Sequence, residues 1–544
     1  MTTTENRKMS TLDGFVRPAK CSEARAKNIS DRVTNMIVQD LRPIRTVECD
    51  GFRNLMKYLE PGYVLPSRKQ FTADINLKHA TYKNHLKGKL REEAVFISLT
   101  TDLWTSIATE SYITVTAHYI DNNWVLQAFV LETLPFPERH TGINIAQKLK
   151  EMVGEWEILD TVRMVSHDQG SNMKAAMEIL HNELNWQNLH CTAHCLQLCI
   201  LAGFKINSID RLLAAAKKIV THFHHSVVAS EALKQKQIEM NMPGKKLINS
   251  CVTRWNSTYE MLDRLLKLRW PVTAVLSDSK VTKPSNRYLD LKSEQWKLVE
   301  ELVEVLENFS TATTFLSYEE NVSMSAAFPI LHGIIDQLVP DVSDSGVIKQ
   351  FKEIVSSEIS ERFELNSLHA AHPMLLTAII DPRFKNLTLG RYTESEQDSL
   401  KKGIVELMEM YKVYEEHEHG SQTSHEPSPS DVKRPKRLTA LDKLLGEEAA
   451  VAEPSLSSEL EKYLTEPPPP RRDNPLVWWQ LNAGRFKVVS YVARRLLCIP
   501  ATTTSSERVF STGLTVTKLR SNLKPKNVYA LIFLNQNLSK LSIH

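Results

Sequence analysis

The chain has 544 residues, 42% of them apolar and 24% charged, with a formal net charge of +3. Single cores rarely grow past roughly 250–300 residues, so several structural units are expected. This composition excludes a disordered or collagenous chain, and no run approaches the roughly twenty apolar residues that a bilayer-crossing helix needs.

The polar start "MTTTENRKMST" does not read as a signal peptide. Seven scattered cysteines, an odd number, argue against a disulfide framework and for a reduced, intracellular chain. Residues 1–35 read as a flexible tail. Residues 36–92 read as a helical module broken by the loop "LEPGYVLPSR". Lys and Arg outnumber Asp and Glu about twofold in the first ninety residues, ending in "YKNHLKGKLR" (82–91). Such a module suits a polyanion partner, and the same pattern suits a solvated helix face.

The pattern then changes to β-rich runs: "AVFISLTTDLW" (94–104), "SYITVTAHYID" (111–121) and "NWVLQAFVLETL" (123–134), the last two joined by a tight turn at "IDNN". An amphipathic helix, "TGINIAQKLKEMVGEW" (141–156), leads to a fourth strand, "TVRMVSHD" (161–168). Three meander strands, a helix and a fourth strand predict an α/β, ribonuclease-H-like core over 93–204. After "NLHCTAHCLQLCILAGF" strand signals almost vanish, and 205–475 reads as an all-helical insertion. A disordered-looking linker (416–437) and the Pro run "EPPPPRRDNP" interrupt it. Residues 476–544 return to dense apolar character and must pack back on the sheet.

Two carboxylates follow buried strands. Asp102 comes after "AVFISLTT" and Asp168 after "TVRMVS", placing both at or near strand ends where a shared crevice forms if the strands are neighbours. Three converging acids can hold two divalent cations for phosphodiester chemistry, and hard cations such as Mg²⁺ prefer such oxygen ligands. Glu507, in "IPATTTSSERVFSTG" (499–513), is a candidate third acid. Locally, Thr504 and Glu507 have the S/T-x-x-E form of a helix capping box, so the site and the cap are both open readings. His190, Cys191, His194, Cys195 and Cys199 lack the paired C-x₂-C spacing of structural zinc sites, and a core helix accounts for them better. Arg254 and Trp255 head an amphipathic helix, where the Trp either stacks an unpaired base or is buried. Lys433, Arg434, Lys436 and Arg437, in a Pro- and Ser-rich segment, read as a nuclear import signal or a solvated charge run.

Taken together, "LTTDLWTS", "MVSHDQGSNMKAA", "CTAHCLQL", "CVTRWNSTYEML" and "PATTTSSERVFSTG" resemble, in order, the motifs of hAT-superfamily transposases, and in particular their BED-finger-containing relatives, including domesticated vertebrate members. The resemblance runs from about residue 35 to the carboxy terminus. It implies a ribonuclease-H-like core split by a helical insertion, with Asp102, Asp168 and Glu507 as catalytic acids binding Mg²⁺ or Mn²⁺. It also implies Cys191 and His194 as a C-x-x-H pair beside the active site, and Arg254 and Trp255 as an R-W pair whose Trp holds a flipped base. DNA is the implied partner, the nucleus the implied location, and the carboxy-terminal region the implied surface for a homodimer or higher oligomer. Active relatives cut DNA, form hairpins on the flanking ends and join element ends to a target. A catalytically silent, domesticated dimeric regulator of transcription or chromatin is the alternative.

A BED finger needs a C-x-x-C and a later His pair. The amino-terminal region offers only Cys21 and Cys49, so no zinc finger is expected in it. A weaker likeness, of "KMSTLDGFVRP" (8–18) to sliding-clamp-binding peptides, rests on Leu12 and Phe15. Met9 and Val16 depart from that pattern.

Overall fold

The structure is a computed structural model. It describes residues 20–106, 109–251, 254–283, 286, 289–367, 369, 371–420, 455–518 and 525–541. The peptide at 8–18 and the basic cluster Lys433, Arg434, Lys436 and Arg437 lie outside the described residues.

Helices α1 (Glu23–Gln39), α2 (Asp50–Leu59) and α3 (Arg68–Glu93) precede the sheet. Serine side chains cap two of them: Ser22 accepts from the Arg25 N–H and Ser67 from the Gln70 N–H, satisfying donors orphaned at a helix start. The sheet has five strands, β1 (Ile97–Thr105), β2 (Ser111–Ile120), β3 (Leu126–Pro135), β4 (Val162–His167) and β5 (Gln187–His190), in the order β3-β2-β1-β4-β5. β1, β2 and β3 form an antiparallel meander; β4 runs parallel to β1, and β5 to β4. The four long strands match the sequence expectation. β5 was not foreseen, because four residues of "QNLH" carry no alternation and little apolar character. The β2–β3 turn is organised by Asp121, whose Oδ1 accepts from the Asn123 and Val125 N–H groups at 2.9 Å.

The parallel crossovers are α4 (Gly142–Glu155) and α5 (Ser171–Leu184). With α3 they cover the apolar face of the sheet, where Ile97, Leu99, Ile113, Val115, Ala117, Tyr119 and Val165 are buried in one cluster. The basic run of α3 is partly paired with acids, Lys83 facing the core and Arg91 staying exposed. Lys83 pairs with Glu132 of β3 and with Glu155, Arg91 pairs with Glu157, Lys89 with Glu93, and Lys87 lies near the Trp156 ring. Lys83 thereby anchors the module to the sheet.

α6 (Thr192–Phe204) leads into helices α7 (Asn207–His225), α8 (Val227–Glu239), α9 (Trp255–Lys267), α10 (Arg269–Ser277), α11 (Ser293–Ser317), α12 (Met324–Gln337), α13 (Gly346–Arg362), α14 (Pro373–Ile380), α15 (Lys385–Leu389) and α16 (Glu394–Gly420). They share one large core with α6. α16 continues to Gly420, into the stretch read from composition as a linker, because "KVYEEHEHG" still consists largely of helix-compatible residues. α17 (Leu456–Thr465), α18 (Pro475–Asn482) and α19 (Lys487–Leu496) pack on this block. There the Tyr463 hydroxyl donates to the carbonyls of Ile379 and Ile380, and buried Lys385 donates to the Leu464 carbonyl at 3.1 Å.

The chain then returns to the sheet. α20 (Thr504–Lys518) lies on β1 and β2, with Gly513 close against Trp104. α21 (Pro525–Asn537) closes the β3 edge, where the Asn537 amide accepts from the Val130 N–H and donates to the Val130 carbonyl. That pairing satisfies the backbone of a strand that would otherwise present a bare edge.

Candidate active site

The second face of the sheet is polar, and its register explains why. Side chains alternate along a strand, so Ser98, Thr100 and Asp102 share one face of β1. Thr100 is paired with Thr116 and Asp102 with Thr114 across β1–β2, while Thr100 is paired with Ser166 across β1–β4. Continuing that parallel register by two residues brings Asp168, just beyond β4, beside Asp102. Asp102 lies near the end of its strand, three residues before Thr105. It sits inside β1, which continues through "LWT" by pairing with β2.

The segment 499–507 closes this face. The Ser166 hydroxyl donates to the Pro500 carbonyl (2.8 Å), the Thr192 N–H to the Ala501 carbonyl (2.8 Å), and the Thr503 N–H to Cys191 Sγ (3.3 Å). The capping box does not form. α20 begins at Thr504, whose hydroxyl lies 3.2 Å from the Ser317 hydroxyl, while Glu507 faces Arg254 Nη2 at 3.4 Å. Thr502 Oγ1 bonds toward the Leu316 carbonyl, and Ser506 Oγ lies 2.7 Å from Thr100 Oγ1. Thr502, Thr504 and Ser506 thus turn to tertiary partners in α11 and the sheet, while the Thr503 hydroxyl is buried with no protein partner.

Two of the sequence-named acids, Asp168 and Glu507, therefore come into electrostatic reach of the third, Asp102. Asp102, 7% exposed, has its carboxyl pushed up to about 7, first by burial and then by the negative charge of Asp168. Glu507 adds to this, while the Leu103 N–H and His194 oppose it. His194 is held up to about 9 by neighbouring Cys191, with Glu507 and Asp102 contributing, against the desolvation that opposes its charge. The cleft thus sets Arg254 against Glu507 and His194 within electrostatic reach of Asp102 and Glu507.

Among the described residues, no three His, Cys, Asp or Glu groups already surround a common point closely enough to ligate a metal. The chemistry of the donor set nevertheless fits a hard divalent cation: the donors are carboxylate oxygens, and the like charge that raises Asp102 is what such a cation neutralises.

The remaining sequence-named residues lie around the site in two ways. Arg254 is exposed at the head of α9, with its guanidinium on Glu507. Trp255 is 2% exposed and packs edge-on against Phe309 of α11, so its ring offers no face to a base in this conformation. Cys191, Cys195 and Cys199 are buried, the latter two in the core shared with the helical block. Thr100, Thr116, His118 and Ser506 were missed. The alternate hydroxyls in "SLTTD" and "ITVTAH" carried the signal: a buried polar stripe on one strand face needs partners.

Three family models match the chain: the ZBED1 RNase-like domain over 100–195, the ZBED1 RNase-like helical domain over 189–305, and the hAT family C-terminal dimerisation region over 459–538. Over 91% of its length the chain is 27% identical to the putative AC transposase of Zea mays, covering 63% of that protein. It is 25% identical to zinc finger BED domain-containing protein 4 of Homo sapiens over 94% of its length, covering 44% of that protein. It is 22% identical to the putative transcriptional regulator tpeD of Talaromyces stipitatus over 96% of its length, covering 63% of that protein. The chain therefore spans about half to two thirds of the length of these relatives. Three matching models in chain order, and similarity along at least nine-tenths of the sequence, show a chain with ZBED1 RNase-like domains and a hAT dimerisation region, similar throughout to an AC transposase and to ZBED proteins.

Proposed function

We propose that this protein is a nuclear DNA-binding protein that keeps the acids for divalent-cation-dependent cleavage and joining of DNA. The observation that carries the reading is that Asp168, just beyond β4, and Glu507, on a helix more than 300 residues further on, both reach Asp102 of β1, their like charge raising its carboxyl. A meander extended by parallel strands supports a ribonuclease-H-like core beginning at 93–204, with 205–475 as a helical insertion and 476–544 completing the core. The amino-terminal parts are then a tail (1–35) and a helical module (36–92). The cluster Lys433, Arg434, Lys436 and Arg437 supplies the sequence argument for nuclear import.

In this reading Asp102, Asp168 and Glu507 hold Mg²⁺ or Mn²⁺, which when bound activates an attacking oxygen and stabilises the leaving oxygen of a phosphodiester. The chain's own residues prepare the cleft. Arg254 balances Glu507 and presents an exposed guanidinium suited to a DNA phosphate. His194 adds a second positive charge. Cys191 and Trp255, both buried, support the DNA-facing wall from beneath rather than touch DNA.

The test is nicking and joining of plasmid DNA by purified protein with Mn²⁺, beside Glu507→Gln. Activity in the wild type that falls at least about a hundredfold in the variant supports the reading, since removing one essential charged contact costs that order. Equal activity in both would remove Glu507 from the site. DNA binding with no cleavage in either would favour the second reading, a catalytically silent dimeric regulator of transcription or chromatin. Similarity to a protein named as a putative transcriptional regulator speaks for that alternative.

The match to a dimerisation region supports self-association. Within it Val477 and Leu481 lie one turn apart on α18, 52% and 77% exposed. Gln480, between them, donates to the Asn123 carbonyl of the β2–β3 turn, near exposed Val125. Burying this face against a second copy would remove apolar surface from water. Sedimentation should show a dimer for the wild type and a monomer for Leu481→Asp; a dimer that survives the substitution would place the interface elsewhere.

A further inference from the structure

We infer that a buried hydroxyl relay, Ser506–Thr100–Thr116–His118, positions Glu507 against Asp102. The inference rests on the metal-site reading above and names the contact that sets its geometry. Ser506 Oγ lies 2.7 Å from Thr100 Oγ1, Thr100 Oγ1 lies 2.5 Å from Thr116 Oγ1, and Thr116 Oγ1 lies 2.8 Å from His118 Nε2. All four residues are buried.

The placement gives the relay its role. Ser506 immediately precedes Glu507, and Thr100 lies two residues before Asp102 on the same face of β1. The Ser506–Thr100 bond therefore joins the helix carrying one acid directly to the strand carrying another, across 406 residues of sequence. A hydroxyl can donate and accept at once, so Thr100 serves Ser506 and Thr116 together, and linked hydroxyls strengthen one another where the dielectric is low. His118, fully enclosed, ends the chain of bonds as a neutral ring. Neighbouring bonds fix the backbone at 500–503. The relay adds a constraint on the rotation and advance of α20 over the sheet, and those two quantities decide where the Glu507 carboxylate sits. Groups that orient ligands from behind typically matter to metal affinity or activity by about 10–100-fold when removed.

Thr100→Val keeps the shape of the side chain and deletes its hydroxyl. Thr100→Ser keeps the hydroxyl, and Ser506→Ala removes the other end of the same bond. For each, Mn²⁺ affinity is measured by electron paramagnetic resonance, with the kcat and KM of plasmid nicking. Thr100→Val and Ser506→Ala should each weaken Mn²⁺ binding by about tenfold or more and lower kcat with little change in KM. Thr100→Ser should restore both to near wild-type values. The double variant should be no worse than Thr100→Val alone, because that substitution already deletes the Ser506–Thr100 bond.

If Thr100→Val keeps wild-type Mn²⁺ affinity and kcat, the relay is structural only and the inference is wrong, while the metal site stands. Failure of Thr100→Ser to rescue would likewise overturn it, by assigning the loss to volume. A wild-type protein that neither binds Mn²⁺ nor nicks DNA would remove the metal-site reading and the inference with it.

Discussion

At pH 8, Asp102→Asn should raise the apparent melting temperature of the metal-free protein by roughly 1 °C, corresponding to about 1 kcal/mol. The carboxyl is held up to about 7 from its usual value near 3.8, mainly by burial and then by Asp168. A carboxyl raised on folding contributes most below its unfolded value, where both states are protonated, and that contribution is lost as pH rises through the folded value. Between pH 4 and pH 7 the unfolded chain releases its proton and the folded chain does not, so native stability declines across that window. Above it the folded state carries a buried anion beside like charge. The full shift sets a ceiling of about 4 kcal/mol, which local relaxation and water reduce. Asparagine keeps the oxygen that accepts the Leu103 N–H, so the local strand contact survives. Thermal scans of both proteins from pH 4 to pH 8 should show coincident melting at the acid end and a widening gap above it. A variant less stable at pH 8, or equally advantaged at pH 4, would refute this electrostatic reading of the cleft.

Gly203→Val should be strongly damaging although it lies outside the site, lowering stability by about 3 kcal/mol. Gly203 lies in α6 where it crosses α13. A Cβ there would stand 2.4 Å from Phe351 Cε2 and 2.9 Å from Val355 Cγ2, both in fully buried side chains. Phe204 stacks on Phe351 beside it, so the ring has little room to retreat. Because α6 begins at the site with Cys191 and ends in the helical core, separating α6 from α13 disturbs the join between sheet and helices. Gly88→Ala is the control. It lies in α3 with nothing within 4 Å of its would-be Cβ, and should gain about 0.5–1 kcal/mol from helix propensity alone. Urea unfolding should move the two midpoints in opposite directions; a Gly203→Val midpoint at the wild-type value would show that the helices yield freely.

Much of the fold was legible because its signals are local. Alternating apolar residues located β1 to β4, and helical spacing marked the block after residue 205. What was not legible depends on pairing. Register, which no apolar run reveals, puts Asp102, near the end of β1, beside Asp168. β5 forms because β4 offers it a partner, which four polar-leaning residues cannot announce. Thr504 and Glu507 spell a capping box, yet Ser317 and Arg254 claim them, and no local pattern reveals partners some 190 to 250 residues away. Likewise, a run of lysines reads as free charge until Glu132, Glu155 and Glu157 are seen opposite it. The three acids themselves were found from their places at the ends of apolar and hydroxyl runs, and more specifically from the family likeness. The relay behind them was not found, since its threonines look like ordinary strand residues.

The central claim is that Asp102, Asp168 and Glu507 form one divalent-cation site. Its most direct test is the melting temperature of wild type and Asp102→Asn at pH 8 as Mn²⁺ is raised. A ligand that binds only the native state at a hundred times its Kd adds about 2.7 kcal/mol. The wild type should therefore climb with Mn²⁺ and overtake the variant, whose melting should stay nearly flat. If Mn²⁺ stabilises both proteins equally, or neither, the acids do not form that site.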